Sequence, residues 1–299
     1  MVWVIVGFLS APQLPYVDLR ILIYLNPMHA VDRFAVKMEL YVSEPPNPFM
    51  PILPDILAEM QRLIEAAHAK PILMRAIGGL AIRVKSGDMQ RFFAREYRDL
   101  DFVVAENERK RIESFFQEMG YESNRQFNLL NGSKRQIYLD PDSDRHVDIF
   151  VGKFEMCHKL PMDGRLEIDP VTVPLAELLL SKAQIVELNR KDALDIASLL
   201  LYNETGHTDD GKINLDYIAK LCGQDWGLYK TTSLSLKRVE EVVRDETLNL
   251  TESERDSILK RITAIHQTFE TMPKSLAWQM RDKVGTRVRW YEEVEEVAR

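Results

Sequence analysis

Asp99 and Asp101 stand one residue apart in "REYRDLDFVVA", at the start of an apolar run that continues Phe102-Val103-Val104. On a β-strand, residues i and i+2 leave the same face, so both carboxylates project together from a segment bound for a core. Like charges held together are costly unless a cation lies between them. A third aspartate, Asp148, sits inside another strand pattern, "RHVDIFVG", and would join the first two if the strands pair in one sheet. Three carboxylates on rigid strands suit divalent ions with oxygen ligands, and Mg²⁺ leaves coordination positions for phosphate oxygens and water. Gly78-Gly79 ends the apolar stretch "PILMRAIGG" and opens "LAIRVK", a strand-to-helix turn where phosphate could approach the backbone and helix N–H groups. Lys182 is the lone cation on the mostly apolar "LAELLLSKAQIVEL" and could clamp a polyphosphate. Each has a plainer explanation: Asp148 could pair with Arg145 or His146, and Lys182 could reach solvent along its own helix.

The elements that must position these residues follow from periodicity. Three- and four-residue apolar spacing predicts a helix over Asp55 to Ala69, and a second over Glu106 to Met119 stopped by Gly120. "FNLLNGSKRQIYL" reads as a hairpin around Asn131-Gly132. From Pro174 the period changes to about 3.6. Helices are expected over Leu175 to Leu188, Lys191 to Tyr202 and Leu215 to Cys222, with a later one opened by the capping box Thr251 to Glu254. The fold class is therefore α+β, a small mixed sheet with flanking helices followed by an all-α part. The divisions are 51–173 for the α/β core and 174–299 for the helical part. Residues 1–50 read as an extension, poorly ordered or a translation-start artefact, with a signal peptide as the alternative. The opening apolar run is broken by prolines and Asp18 and is too short to span a bilayer.

Composition narrows the function classes. With 45% hydrophobic and 28% charged residues the chain can bury a core, and a net charge of -7 argues against indiscriminate nucleic-acid coating. Cys157 and Cys222 are far apart and outside any CxxC pattern, so they read as reduced, buried thiols of a cytoplasmic protein, with zinc at Cys157-His158 as the lesser alternative.

The order of these features, a Gly-Gly turn, "DLD", a strand Asp and a helical Lys, resembles the DNA polymerase β-like nucleotidyltransferase superfamily. "KAQIVELNRKDALDIASLL" is similar to the later motifs of abortive-infection toxin-like nucleotidyltransferases and their uncharacterised relatives. The resemblance spans about residues 55 to 202. It implies transfer of an NMP from an NTP, with Mg²⁺ or Mn²⁺, to a hydroxyl of a tRNA, protein or small-molecule acceptor. It assigns Gly78 and Gly79 to the phosphate turn, Asp99 and Asp101 to the metal pair, and Asp148 to the third carboxylate, which can also draw the acceptor proton. Lys182 and Asp192 match later motifs, and Asp195 could serve in place of Asp192. The chain departs from the family in two ways: Leu80 stands where Ser or Thr is usual, and Gly79 lies 20 positions before Asp99. The insert "KSGDMQRFFAREY" could be a lid bringing Arg91, Arg95 or Arg98 to the triphosphate, with Arg98 beside Asp99 taken as a nucleotide contact, or a surface loop, the favoured role for Arg91. A catalytically weak nucleotide- or partner-binding module of the same fold, antitoxin-like or a scaffold, is the rival. Near the C-terminus, Lys274, Arg281, Lys283, Arg287 and Arg289 alternate with Trp278, Trp290 and Tyr291. That pattern suits RNA stacking, but the favoured reading is tryptophans in a core with the basic residues paired to Glu292, Glu293, Glu295 and Glu296. No membrane association is expected, and oligomeric state is not legible.

Overall fold

The computed structural model describes residues 51–293. The expectations for residues 1–50 lie outside the described residues. The first helix, α1 (Ile56–Ala69), begins where the Asp55 side chain accepts from the Ala58 N–H at 2.8 Å. Next come β1 (Met74–Ile77), α2 (Gly78–Lys85), β2 (Asp99–Val104), α3 (Ile112–Glu118), β3 (Glu122–Ser123), α4 (Arg125–Asn131), β4 (Arg135–Leu139) and β5 (His146–Val151). A short pair, β6 (Lys153–Glu155) and β7 (Lys159–Pro161), precedes the helices α5 (Leu175–Ala183), α6 (Arg190–Tyr202), α7 (Leu215–Gln224), α8 (Trp226–Val243), α9 (Glu252–Thr271) and α10 (Leu276–Val284). The α+β class with a small mixed sheet and a helical C-terminal part is what the chain adopts.

The five-stranded sheet has the order β1-β2-β5-β4-β3, with β2 and β5 parallel and the other neighbours antiparallel. Alternation gives its two faces opposite characters. One carries Leu100, Phe102, Val104, Val147, Ile149 and Tyr138, all buried, and Tyr138 stacks on Phe116 of α3 at 4.6 Å. The other carries Asp99, Asp101 and Asp148 toward one end.

The segment before α5 extends the sheet: Ala76 N–H donates to Val171 O at 2.9 Å, and Val173 N–H donates to Ala76 O at 3.0 Å. α5 therefore starts beside β1, and α2 packs against both α5 and α6. One apolar core runs through the α/β and helical parts.

Three boundaries differ from the sequence reading. Residues 125–131 form α4, so the hairpin around Asn131-Gly132 is absent. Asn124 caps the Phe127 N–H, and Gly132 has φ -62 rather than the positive value a tight hairpin turn needs. The strand β4 pairs instead with β3 and β5. The helix expected over 106–119 is a short 3₁₀ turn followed by α3, and α5 ends at Ala183 rather than Leu188. The capping box at Thr251 and Glu254 is present. Among the described residues no helix is long and apolar enough to cross a membrane.

Candidate functional site

The parallel register of β2 and β5 sets Asp101 directly opposite Asp148 and Asp99 opposite His146. All three aspartates thus leave one face, with the paired backbones about 4.8 Å apart. Two like charges at about 4 Å repel by roughly 4 kcal/mol at an effective dielectric of about 20, more than an ordinary hydrogen bond returns. Burial, and then the Asp148 charge, push the Asp101 carboxyl up to about 7, with Asp99 adding to the rise and Lys182 and Arg135 opposing it.

Arg135 is the close counter-charge, donating from Nε and Nη2 to Asp148 Oδ1 at 2.8 Å. The partner expected from sequence, Arg145 or His146, is not the one found: Arg145 donates to the Leu53 and Pro54 carbonyls instead. As the side chains stand, no three carboxylate, imidazole or thiol groups among the described residues converge to enclose a cation. The donor set still fits a hard divalent cation, because it is all oxygen and shares one face. The adjustment required is that Asp148 turn from Arg135.

β1 delivers Gly78 to this cluster through the register Ile77 opposite Asp101. Gly78 has φ +75, and a Cβ there would lie 2.3 Å from Asp101 Oδ2. Both facts demand glycine. At Gly79 a Cβ would meet the Arg95 guanidinium nitrogens at 2.8 Å.

Arg95 arrives on the insert between α2 and β2, which is a fastened strap rather than a free lid. Tyr202 packs on Gly87 and donates from its hydroxyl to Asp88 O at 2.9 Å. Asn203 donates to Lys85 O at 2.9 Å, and Arg91 pairs with Glu254 of α9. Arg95 lies over the Tyr97 ring at 4.6 Å and donates to Asp195 Oδ2 at 2.5 Å. Of the three arginines on or beside the insert, Arg95 reaches the glycine turn, Arg91 is occupied on α9, and Arg98 is exposed at the foot of β2.

Lys182 on α5 lies close enough to the acidic face to act on Asp101. Its Nζ donates to Asp192 Oδ1 at 2.7 Å and pairs with Asp195 Oδ2 at 3.2 Å. Lys182 thus contacts both Asp192 and Asp195. Asp195 is fully buried and bridges Lys182 to Arg95, while its Oδ1 has no hydrogen-bond partner. Burial works against the Lys182 charge, but Asp195 and Asp192 outweigh it and hold the ammonium above its ordinary value. Burial, then repulsion from Arg95 and Lys182, lowers Lys191. Asp192 and Asp195 oppose that lowering.

In the basic C-terminal stretch the tryptophans are used internally, while Lys283, Arg287 and Arg289 are exposed. Trp278 is buried and donates to Cys222 O at 3.0 Å, and Trp290 donates to Thr231 Oγ1 at 3.0 Å. Arg281 covers Trp226 and donates to the Gly285 and Val288 carbonyls, and Arg289 pairs with Glu293. Both cysteines are free and buried, and His158 bonds Thr231 rather than a metal-binding neighbour.

Sequence reasoning missed Arg135 and the Arg95–Asp195 bond. Arg135 alternates with Ile137, which the register sets opposite Asp148. That signal was obscured by the hairpin reading.

No protein-family model and no curated protein matches the chain. Among solved structures it is similar to an antigenic nucleotidyltransferase-like protein from Paracoccidioides brasiliensis, at 15% identity and TM-score 0.37, covering 76% of this chain and 98% of that one. It is similar to the antibiotic-resistance factor ANT(2'')-Ia at 13% and 0.32, covering 72% and 96%. It is also similar to a STING-associated CdnE c-di-GMP synthase from Capnocytophaga granulosa at 9% and 0.25, covering 72% and 79%.

Proposed function

We propose that the chain is a nucleotidyltransferase that moves an NMP from an NTP to an acceptor hydroxyl, releasing pyrophosphate, with Mg²⁺ or Mn²⁺ held by Asp99, Asp101 and Asp148. The observation that carries this reading is the register of Asp101 opposite Asp148, with the Gly78 backbone pressed against the Asp101 carboxylate. The cation, when bound, would supply neutralisation of phosphate charge and acidification of the acceptor hydroxyl. The chain's own residues account for the rest. Gly78 and Gly79 leave room for phosphate at the start of α2. Lys182, with Arg95 and Lys191, draws the polyphosphate and steadies the leaving pyrophosphate. Asp148, once clear of Arg135, is placed to accept the hydroxyl proton, so its loss should lower kcat more than it raises KM.

A tRNA end or a protein hydroxyl is the first acceptor class to examine, and an aminoglycoside-like small molecule the next. An NTP-consuming reaction of this kind belongs in the cytoplasm. Incubation with each α-³²P NTP and Mg²⁺ or Mn²⁺, with total RNA, total protein or an aminoglycoside, should label one acceptor. Asp101→Asn should abolish that labelling, and equal labelling by both proteins would sink the reading.

A second reading has its own support. Asp148 is engaged by Arg135, Lys182 is satisfied by Asp192 and Asp195, and Leu80 supplies no hydroxyl after the glycine pair. A nucleotide- or partner-binding module with little turnover would retain nucleotide affinity and transfer no label.

A further inference from the structure

The Arg135 side chain does two separable things. Its head donates twice to one oxygen, Asp148 Oδ1, at 2.8 Å. Its guanidinium carbon also lies 5.3 Å from the Phe150 ring centroid and 5.8 Å from that of Phe127 on α4. The aromatic contacts do not depend on Asp148, so the arm stays seated after its ion pair is given up. It stands beside a face on which Asp148 lies opposite Asp101, a carboxyl that feels both Asp148 and Lys182.

We propose that Arg135 is an exchangeable counter-ion: it neutralises Asp148 while the acidic face holds no metal, and a divalent cation must displace it to bind. The inference rests on the cation reading above and adds a residue outside the three carboxylates that sets how tightly the face takes the ion. The exchange replaces one positive charge by two beside the adjacent Asp101 and Asp148, so it runs forward when the cation is available. The released guanidinium, still beside the rings, is then a donor for a phosphate oxygen, which makes cation and nucleotide binding mutually supportive.

The test is direct Mn²⁺ binding to the full chain, followed by the electron paramagnetic resonance of the free ion, with thermal unfolding recorded in EDTA and in MnCl₂. Arg135→Gln should bind Mn²⁺ roughly tenfold more tightly than wild type, the scale on which one close opposite charge alters a carboxylate's affinity for a proton. It should also melt lower in EDTA and gain more from MnCl₂. Arg135→Lys should fall between the two, and adding Asp148→Asn to Arg135→Gln should remove the gain. A merely structural arginine would leave Mn²⁺ affinity unchanged or weaken it. Should Arg135→Gln fail to fold, Arg135→Met, which keeps an apolar stem against the rings, carries the same comparison. If wild type binds Mn²⁺, Asp101→Asn does not, and Arg135→Gln or Arg135→Met binds no more tightly than wild type, the exchange is refuted and the cation site stands. If neither wild type nor any Arg135 variant binds Mn²⁺, the site itself is refuted and the exchange with it.

Discussion

The two charge clusters, the acidic wall on the sheet and the mixed wall on the helices, balance charge in different ways. On the sheet side, Asp99, Asp101 and Asp148 gather against Arg135, whose side chain is 24% exposed. On the helical side, Arg95 and Lys182 converge on Asp195, which is 0% exposed, with Asp192 beside it. The first sets Asp101 opposite Asp148 and holds Asp148 through an arm that also rests on aromatic rings. The second is a network in which one buried carboxylate joins both cations. The proposed reaction would use both: a wall that can exchange its positive charge, and one whose cations are held in place without rearranging.

The largest effect should come from breaking the mixed wall. Asp195→Ala removes the buried carboxylate that joins Arg95 to Lys182 and should lower unfolding stability by about 3–5 kcal/mol in a urea titration. Asp148→Asn, acting on a partly exposed pair, should cost less than about 1 kcal/mol. Equal losses would erase the contrast. Gly78→Ala comes next, because φ +75 is unfavourable for alanine by about 1–2 kcal/mol and the new methyl meets the Asp101 carboxylate. Gly79→Ala should be milder, since the side chain it meets is the far end of Arg95.

A pH series sharpens the contrast further. Asp101 titrates near 7 in the folded chain against about 3.8 in an unfolded one, so folding takes up a proton between those values. The stability the carboxyl confers when protonated is therefore lost as pH rises from about 4 to about 7. Asp101→Asn removes that slope, so in EDTA its Tm advantage over wild type should grow across that window and level off above it. A constant Tm difference from pH 4 to 8 would show that the acidic wall carries no such strain. The smallest effect belongs to Arg91→Ala at the strap's outer fastening to Glu254, below about 1 kcal/mol and weaker still in high salt.

How much of this was legible follows from which interactions are local. The strands bearing Asp99, Asp101 and Asp148 announced themselves through short apolar runs, and their common face followed from two-residue alternation. Lys182 and the two aspartates of α6 fall at helical spacing within one sequence neighbourhood. Arg95 and Asp195, by contrast, are 100 positions apart, and no local period joins them. Arg135 was hidden for a different reason. Asn131-Gly132 is a strong turn signal, but Asn124 caps a helical turn first, and tertiary context outweighed the dipeptide. The tryptophans near the C-terminus fit either a core or a stacking surface in sequence. Only the bonds from Trp278 and Trp290 to Cys222 and Thr231 separate the two.

The short run of chain that leads into α5 also guards the protein against its own kind. It occupies the outer rim of a four-residue strand that is buried along its whole length. A product cut short ahead of residue 171 would leave that rim bare, an open template for strand-to-strand pairing between molecules. Such a fragment should come out of solution during expression even though every aspartate of the acidic wall is still present.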